Sequence, residues 1–387
     1  MAYNPKNQHG AAAIFIVVFF AILITVIALS FLRIAIQDQQ QSTNNDLAQS
    51  AYDSADAGLE DAKRALSWYR VNCPVNNAPL DATNCATYNT TFDANKRCNF
   101  ADLLETDTVP NAKRVGTTSE VKVSTTANDD ALDQAYTCVT LTTKTSDYKG
   151  TAQNGKNNTL IPLRTVGNAP ISTIELNWFI NKDQIPLTPN YPSYPDLPKP
   201  ANWTSTVPPI MRVQLIPVLR GSGNGFDIRD VDNDTKTAFI YPTKTGSGSV
   251  NFNTADTGRF QAKAFSPHRA KCDPTVNQGK YACSAQITPV AATGGSAANT
   301  DYYLLVTAVY NNADYQVRLL NGADVVQFDN VEPQVDSTGR ANNVFRRVQS
   351  RVADVSNLPD FGATDGVCKA FNVPEYSTSC PTELINP

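Results

Sequence analysis

Histidine is scarce in this chain, which has only His9 and His268 among its 387 residues. No two cysteines have the C-x-x-C spacing, so the common ligand patterns of a zinc site are missing. The G-x-S-x-G, H-E-x-x-H and G-x-x-x-x-G-K-S/T motifs are missing as well. We therefore expect neither an enzyme nor a protein with a bound cofactor.

Charge is also scarce, since 18% of the residues are charged and the formal net charge is -4. Nucleic acid is not an expected partner, because the chain lacks a broad basic surface and only Arg346, Arg347 and Arg351 cluster locally. The hydrophobic fraction of 41% is that of a globular protein and excludes disorder throughout. A chain of 387 residues predicts one large or two modest domains.

Proline and glycine are nearly missing from the N-terminal part. There is no proline between Lys6 and Cys73, and Gly58 is the only glycine after Gly10 in that stretch. A single helix from about residue 11 to about residue 69 is therefore permitted. Its first part, Ala11 to Leu32, carries no charge and has the length needed to cross a hydrocarbon core of about 30 Å. The apolar region of a cleaved signal peptide is shorter, about 7 to 15 residues.

The second part of this helix is amphipathic. Its apolar residues recur in alternating steps of four and three, at Ala48, Tyr52, Ala55, Leu59, Ala62, Leu66 and Tyr69. This spacing predicts that one seam of the helix packs against a sheet or another helix. A dimeric coiled-coil stalk remains an alternative.

The N-terminus resembles that of type IV prepilins. A short polar leader with Lys6 ends in Gly10, an apolar helix begins at Ala11, and an amphipathic continuation follows. The stretches GAAAIFIVVFFAILITVIALSFLR and LAQSAYDSADAGLEDAKRAL are similar to the N-terminal domain of PilX-like pilus assembly proteins. The Ala-Glu-Ala-Gly-Leu-like element of that family reads ADAGL here, at residues 55–59. The late RRVQ stretch, residues 346–349, resembles the closing strand of PilX-like chains.

The resemblance implies how the chain is processed and assembled. A prepilin peptidase would cut between Gly10 and Ala11, and an assembly platform with its ATPase would lift the subunit from the cytoplasmic membrane into an extracellular filament of other pilin subunits. Major pilins usually carry glutamate at the fifth mature position, which is Phe15 here. This departure favours a minor or initiating subunit. A single-pass anchored surface adhesin that never polymerises is the alternative.

All eight cysteines lie on the C-terminal side of the apolar run. This placement predicts disulfides in an oxidising compartment and a head outside the membrane. Nearest-neighbour pairing favours the bridges Cys272–Cys283 and Cys368–Cys380, although many connectivities remain open. The other candidates for disulfides are Cys73, Cys85, Cys98 and Cys138.

The fold class expected is α+β, with a long pilin helix followed by a disulfide-stapled, mainly antiparallel β head that includes a β-sandwich as one option. The predicted segments are a leader (1–10), a transmembrane and filament-core helix (11–33), its amphipathic half (34–70), cysteine-bearing loops with a first β region (71–184), a Pro-rich loop (185–210), and a second β region with a C-terminal disulfide loop (211–387).

Several strands are predicted within the head. Ile174, Leu176 and Trp178 alternate with polar neighbours, as in a half-buried strand. The run YYLLVTAVY at 302–310 predicts a central strand, and a turn at 311–314 predicts a hairpin with residues 315–320. The late strand from residue 344 predicts a solvated sheet edge, with a contact to an acidic partner as the other interpretation of its arginines.

A DVDND stretch places Asp230, Asp232 and Asp234 at the first three ligand spacings of a calcium loop. Thr235 and Tyr241 replace the glycine and glutamate that a helix-loop-helix calcium site requires. A looser surface calcium site and a plain acidic turn both remain open.

Overall fold

The computed structural model describes residues 9–73, 81–93, 97–106, 120–123, 133–154, 160–180, 203–220, 234–252, 268–273 and 280–352. The chain divides into two compact units. Unit 1 comprises Met1–Asn72, Ala78–Thr140 and Asp336–Ser350. Unit 2 comprises Cys73–Asn77, Leu141–Val335 and Arg351–Pro387.

The described part of the chain contains two α-helices, α1 (His9–Asn72) and α2 (Ala82–Asp93), and short 3-10 helices at Asn99–Thr106, Val166–Asn168 and Ala297–Asn299. The strands in chain order are β1 (Val121–Lys122), β2 (Gln134–Thr145), β3 (Tyr148–Ala152), β4 (Leu160–Pro162), β5 (Thr173–Ile180), β6 (Ile210–Leu219), β7 (Lys236–Thr243), β8 (Ser249–Asn251), β9 (His268–Cys272), β10 (Tyr281–Thr288), β11 (Thr300–Val309), β12 (Ala313–Asn321), β13 (Asp324–Val326), β14 (Phe328–Ala341) and β15 (Val344–Arg351).

Helix α1 is the dominant element of unit 1, and its 64 residues confirm the predicted long helix. Helix α2 is not predicted, because its Thr- and Asn-rich sequence has low helix propensity. Asp81 caps α2 by accepting a hydrogen bond from the Asn84 backbone N–H at 3.0 Å. Tyr88 of α2 stacks on Trp68 and Tyr69 of α1, so tertiary packing stabilises a helix that local sequence does not favour.

The strands form two sheets. The smaller has the order β1-β2-β14-β15, and β15 lies at its edge as predicted. The larger has eleven strands and follows the path β13-β12-β5-β10-β9-β7-β6-β11-β4, with β3 beside β12 and β8 beside β10. Most pairings are antiparallel, while β7–β9 and β8–β10 are parallel. The α+β class with a mainly antiparallel β region is therefore confirmed, and the sandwich stays a prediction.

The predicted hairpin between residues 302–310 and 315–320 is wrong. Strand β11 pairs with β4 and β6, whereas β12 pairs with β3, β5 and β13. Strand β3 comes between them, because it pairs with β12 and the next residues reach β11 through the bridge Asn154–Ala308. The short connection after β11 therefore joins two strands that are not paired with each other. Strand β11 has neighbours on both sides, as predicted.

The inward side chains of the large sheet form one core. Ile174, Leu176 and Trp178 of β5 share it with Met211 and Val213 of β6. Strands on both sides of the Pro-rich stretch thus contribute to the same core, and the indole N–H of Trp178 donates to the Pro209 carbonyl at 3.1 Å. The other face of β5 is covered as well, since Asn177 and Phe179 are also buried. The half-buried pattern predicted for this strand is therefore wrong.

Disulfides are present in both units. Cys98 bonds to Cys138 in unit 1, and Cys272 bonds to Cys283 in unit 2. The second is the pairing favoured by the sequence, and it joins residues that face each other in the register of β9 and β10. Both of its cysteines are fully buried, so this bridge is part of the core.

Of the remaining cysteines, Cys73 and Cys85 are disulfide-bonded. Cys368 and Cys380 lie outside the described residues, so the bridge between them stays a prediction. No described cysteine is free, as expected for a head in an oxidising compartment.

Arg351 binds two buried carboxylates in unit 2, those of Asp147 and Glu332, and we refer to these three residues as the clasp. Its guanidinium contacts Asp147 at 2.6 Å and Glu332 at 2.7 Å, and Gln316 donates a further hydrogen bond to Asp147 at 2.5 Å. Burial alone would raise the pKa of Asp147, but the hydrogen bonds from Arg351 and Gln316 hold it below its usual value. Burial raises the pKa of Glu332 despite its hydrogen bond from Arg351. The prediction of a solvated Arg351 is therefore wrong.

The clasp makes a prediction for Arg351→Met. Removing the guanidinium leaves the buried carboxylates of Asp147 and Glu332 without their cationic partner, so the free energy of unfolding at pH 7 should fall by about 3–5 kcal/mol. The loss should shrink as the pH falls towards 4, because protonation of Glu332 and Asp147 removes the uncompensated charge. Urea unfolding of the full chain in detergent micelles, with hydrogen exchange over residues 148–152 and 328–335, measures the effect.

Arg347→Met is the matched control, since Arg347 is 64% exposed and pairs with a single carboxylate, Asp336, so its removal should cost much less stability. In the wild type the contributions of Asp147 and Glu332 to stability depend on pH in opposite directions. Asp147, with its lowered pKa, contributes stability that is lost as the pH falls through that pKa, whereas the contribution of Glu332 is lost as the pH rises through its raised pKa. An equal loss at pH 4 and pH 7 in Arg351→Met would contradict the clasp.

Candidate functional site: the N-terminal helix and its docking surface in unit 1

The first half of α1 is apolar and unpacked. Its large hydrophobic side chains from Ile14 to Ile36 are 41–76% exposed, and none of the most apolar window is buried. The mean hydropathy of that window is 3.1, so α1 is long and apolar enough to cross a membrane. A soluble monomer does not normally expose such a surface, which marks it as a contact surface for lipid or for other protein.

The polar side chains within this apolar half are satisfied by the helix itself. The hydroxyl of Thr25 donates to the Ala21 carbonyl at 2.7 Å, and that of Ser30 donates to the Val26 carbonyl at 2.8 Å. Neither hydroxyl requires water, so both are compatible with a hydrocarbon environment or a dry helix bundle. Gly10 and Ala11, the predicted cleavage residues, both lie within α1.

The second half of α1 is docked in unit 1 along one seam. Ala51, Ala55, Ala62 and Leu66 have no exposed surface, and Leu59 is 5% exposed. The predicted seam is thus largely correct, and four of its members lie at its centre. Tyr52 is an exception, because it is 48% exposed. The buried face is wider than a coiled-coil seam and includes Ser54, Gly58, Asp61 and Ala65.

Two glycines set the distance between α1 and the sheet. A Cβ atom on Gly58 would lie 2.5 Å from the Ser337 hydroxyl oxygen and 2.9 Å from the Tyr136 ring. A Cβ atom on Gly339 of β14 would lie 2.2 Å from both the Ala51 carbonyl oxygen and the Ala55 nitrogen. At Gly339 the strand and the helix therefore approach backbone to backbone, which only glycine permits. At Gly58 the helix backbone lies against the side chains of Ser337 and Tyr136.

A buried carboxylate marks the middle of the seam. The Tyr136 hydroxyl of β2 donates to Asp61 at 2.8 Å, and Arg64 forms an ion pair with Asp61 one turn along the helix. Burial raises the pKa of Asp61, although the hydrogen bonds from Tyr136 and Arg64 partly oppose this. Burial also raises the pKa of Tyr136, so its phenol remains a donor at neutral pH.

Aromatic side chains fix the C-terminal end of α1. The rings of Tyr69 and Tyr88 are 5.5 Å apart and nearly parallel, and Phe92 contacts both edge to face. The Tyr69 hydroxyl donates to Asn89 at 2.6 Å. This cluster secures the last turns of the helix against α2.

The arginines of β15 have two different environments. Arg346 and Arg347 are exposed together with Phe345, and Arg347 pairs with Asp336 of the neighbouring strand. This matches the predicted solvated edge. Arg351 belongs to the clasp in unit 2 and is not available to a partner.

The calcium candidates remain largely untested. Asp230 and Asp232 lie outside the described residues. Both carboxylate oxygens of Asp234 already accept hydrogen bonds, from the Thr293 backbone N–H at 2.8 Å and from its hydroxyl at 2.5 Å. Among the residues that the structure describes, no group of three or more histidine, cysteine or acidic side chains is placed to hold a metal.

Comparison of the chain with protein-family models, with curated proteins and with solved structures gave no match in any of the three.

Gly58→Ala tests the close approach. The added methyl group should destabilise the docked state by about 1–3 kcal/mol, as overpacking does elsewhere. Hydrogen exchange of helix residues 51–66 in the full chain measures this locally. The matched second variant is Ser337→Ala, which removes the hydroxyl oxygen nearest to the new methyl group. Because that hydroxyl makes no hydrogen bond in the described structure, this variant alone should cost little stability.

The double variant Gly58→Ala with Ser337→Ala should recover part of the lost protection, because the closest contact has been removed. Protection that is equal in Gly58→Ala and wild type would show that the helix does not need the glycine at this position.

The raised pKa of Asp61 predicts that the docking of α1 depends on pH. Because the pKa is raised in the folded state, docking of α1 should strengthen as the pH falls through that pKa, and the extra stability should be lost as the pH rises through it. Asp61→Asn should abolish this pH dependence of hydrogen exchange over residues 51–66, after correction for the intrinsic exchange rate. Glu60→Gln on the exposed side is the control and should retain it.

Proposed function

We propose that this chain is a structural subunit of a type IV pilus, of the PilX-like kind, that polymerises through the apolar half of α1. The observation that carries the proposal is the continuity of α1. One helix holds a fully exposed apolar half and a half that is docked tightly on the sheet of unit 1. An exposed apolar half-helix is what a pilin exchanges between the membrane and the filament core.

Assembly on this proposal requires no covalent chemistry by the subunit itself. In the membrane the exposed half would contact lipid, and in the filament it would contact the same halves of neighbouring subunits. Both environments are comparably apolar, so hydrophobicity gives little net drive. Close packing of small residues such as Ala21 and Ala28, together with the ATPase of the assembly platform, would supply the direction.

The position of Phe15 supports a minor or initiating role. Its side chain is 76% exposed and apolar, so the fifth position after the proposed cut cannot neutralise the N-terminal amine of a neighbour. A subunit that lacks this carboxylate would pack less readily along the whole shaft. It is better suited to the tip or to the start of the fibre.

The decisive experiment uses Gly10→Val in the native host. We expect the variant to keep Met1 to Gly10 by intact mass and to be missing from sheared filaments, whereas wild type is found there without its leader. His9→Ala is the control and should be processed normally.

A photo-crosslinking residue in place of Phe19 completes the test, because this side chain is 63% exposed. In sheared fibres it should crosslink to the helices of other pilin subunits, while the same group in place of Phe345 in β15 should not. Recovery of the wild type only as single molecules crosslinked to lipid would contradict the proposal and would favour a single-pass anchored adhesin.

A further inference from the structure

An aromatic and cationic cluster lies on the outer face of the large sheet in unit 2. Trp203 stacks on Tyr310 with ring centroids 4.9 Å apart, and Phe239 and Tyr241 of β7 are partly buried beside Trp203. Arg212 of β6 lies over the Phe239 ring at 6.0 Å. We refer to Trp203, Arg212, Phe239, Tyr241 and Tyr310 as the Arg212 platform.

The platform is held in a fixed shape. The amide of Asn311 donates to the backbone carbonyls of Thr204 and Val207, at 2.6 and 2.8 Å. The indole N–H of Trp203 donates to the Pro208 carbonyl at 3.2 Å. The loop that carries Trp203 is therefore tied to the residue next to Tyr310, which keeps the two rings stacked.

Tyr310 holds an unusual backbone conformation. Its φ is +81°, a region that a bulky aromatic residue rarely adopts, and its side chain is 38% exposed. Strained residues of this kind persist where the surrounding structure fixes them, and they are frequent at binding sites. The Tyr310 ring lies at the surface, where it packs on Trp203.

Polar groups on the platform lack partners. The Nε of Arg212 and the hydroxyl of Thr307, which face each other in the register of β6 and β11, are buried and make no hydrogen bond within the described residues. Burial lowers the pKa of Arg212, since no described carboxylate offsets its desolvation. The phenol oxygens of Tyr241 and Tyr310 make no hydrogen bond in the described part of the chain either.

Arg212 differs in this from three other partly buried arginines of unit 2. Arg318 pairs with Glu175 at 3.0 Å, Arg220 pairs with Asp301 at 2.6 Å, and Arg351 binds two carboxylates. The cation of Arg212 therefore has no anionic partner among the described residues and is open to pairing with an anion. A carboxylate fits best, because a guanidinium binds it in a planar, bidentate geometry.

We propose that the Arg212 platform binds a carboxylate-bearing sugar residue of a polysaccharide, with the sugar ring stacked on Tyr310 and its carboxylate paired with Arg212. The phenol hydroxyls of Tyr241 and Tyr310 supply hydrogen bonds to the sugar hydroxyls. An acidic peptide fits less well, because β6 and β7 already have neighbours on both sides and offer no open edge for strand addition. The proposal does not depend on assembly of the chain into a pilus.

Calorimetric titration of the full chain in detergent micelles with a pentamer of galacturonic acid tests the proposal. The methyl-esterified pentamer, which has the same rings without the charge, is the matched ligand and should bind at least about tenfold more weakly. A penta-aspartate peptide provides the charge without the rings and should bind more weakly than the acidic sugar.

Three variants separate the contributions. Arg212→Gln should remove the discrimination between the acidic and the esterified sugar. Tyr310→Asn should weaken both sugars by about threefold to tenfold because the stacking is lost, while asparagine tolerates the positive φ. Arg220→Gln is the control and should bind like wild type. Thermal unfolding checks that each variant is folded.

Three outcomes would overturn the proposal. These are no binding of either sugar at millimolar concentration, unchanged discrimination in folded Arg212→Gln, or binding of penta-aspartate as tight as that of the acidic sugar, which would assign the surface to a protein partner.

Discussion

The contact between α1 and the sheet of unit 1 depends on a close approach that one glycine on each side allows. Gly58 removes a side chain from the helix, and Gly339 removes one from β14. The alanines of the seam then lie against the sheet with no exposed surface. A carboxylate is held inside this contact by Tyr136 and Arg64, so the docked half of α1 is specified by shape and by a polar register together. This contact and the aromatic cluster with α2 hold the docked half, from which the exposed apolar half extends.

The buried charged side chains differ in the groups that compensate their charge. Asp147 and Glu332 share one arginine, and Asp61 relies on a phenol and a neighbouring cation. These groups are satisfied within the chain and stabilise it. Arg212 has no such partner in the described structure, and this contrast is the basis of the binding surface that we propose.

Features that depend on local sequence could be predicted. The missing prolines gave the extent of α1, the period of the apolar residues gave most of its seam, and the short spacing of Cys272 and Cys283 gave their bridge. Features that depend on long-range pairing could not. The role of Gly58 requires Ser337 and Tyr136, which are far away in sequence, and the crossing of β3 between β11 and β12 leaves no local signal. The same holds for α2, whose helix is stabilised by the aromatic residues of α1.

The position of Gly58 also affects how α1 bends. Helices kink most readily at proline and glycine, and between Ala11 and Asn72 the only such residue is Gly58. That residue is enclosed by Ser337, Tyr136 and Val139, so the natural hinge of the helix is immobilised by the sheet. After Ala11 the exposed half contains no proline or glycine at which it would kink sharply. An axial displacement of one helical pitch at its free end, about 5.4 Å, would carry unit 1 along by the same distance.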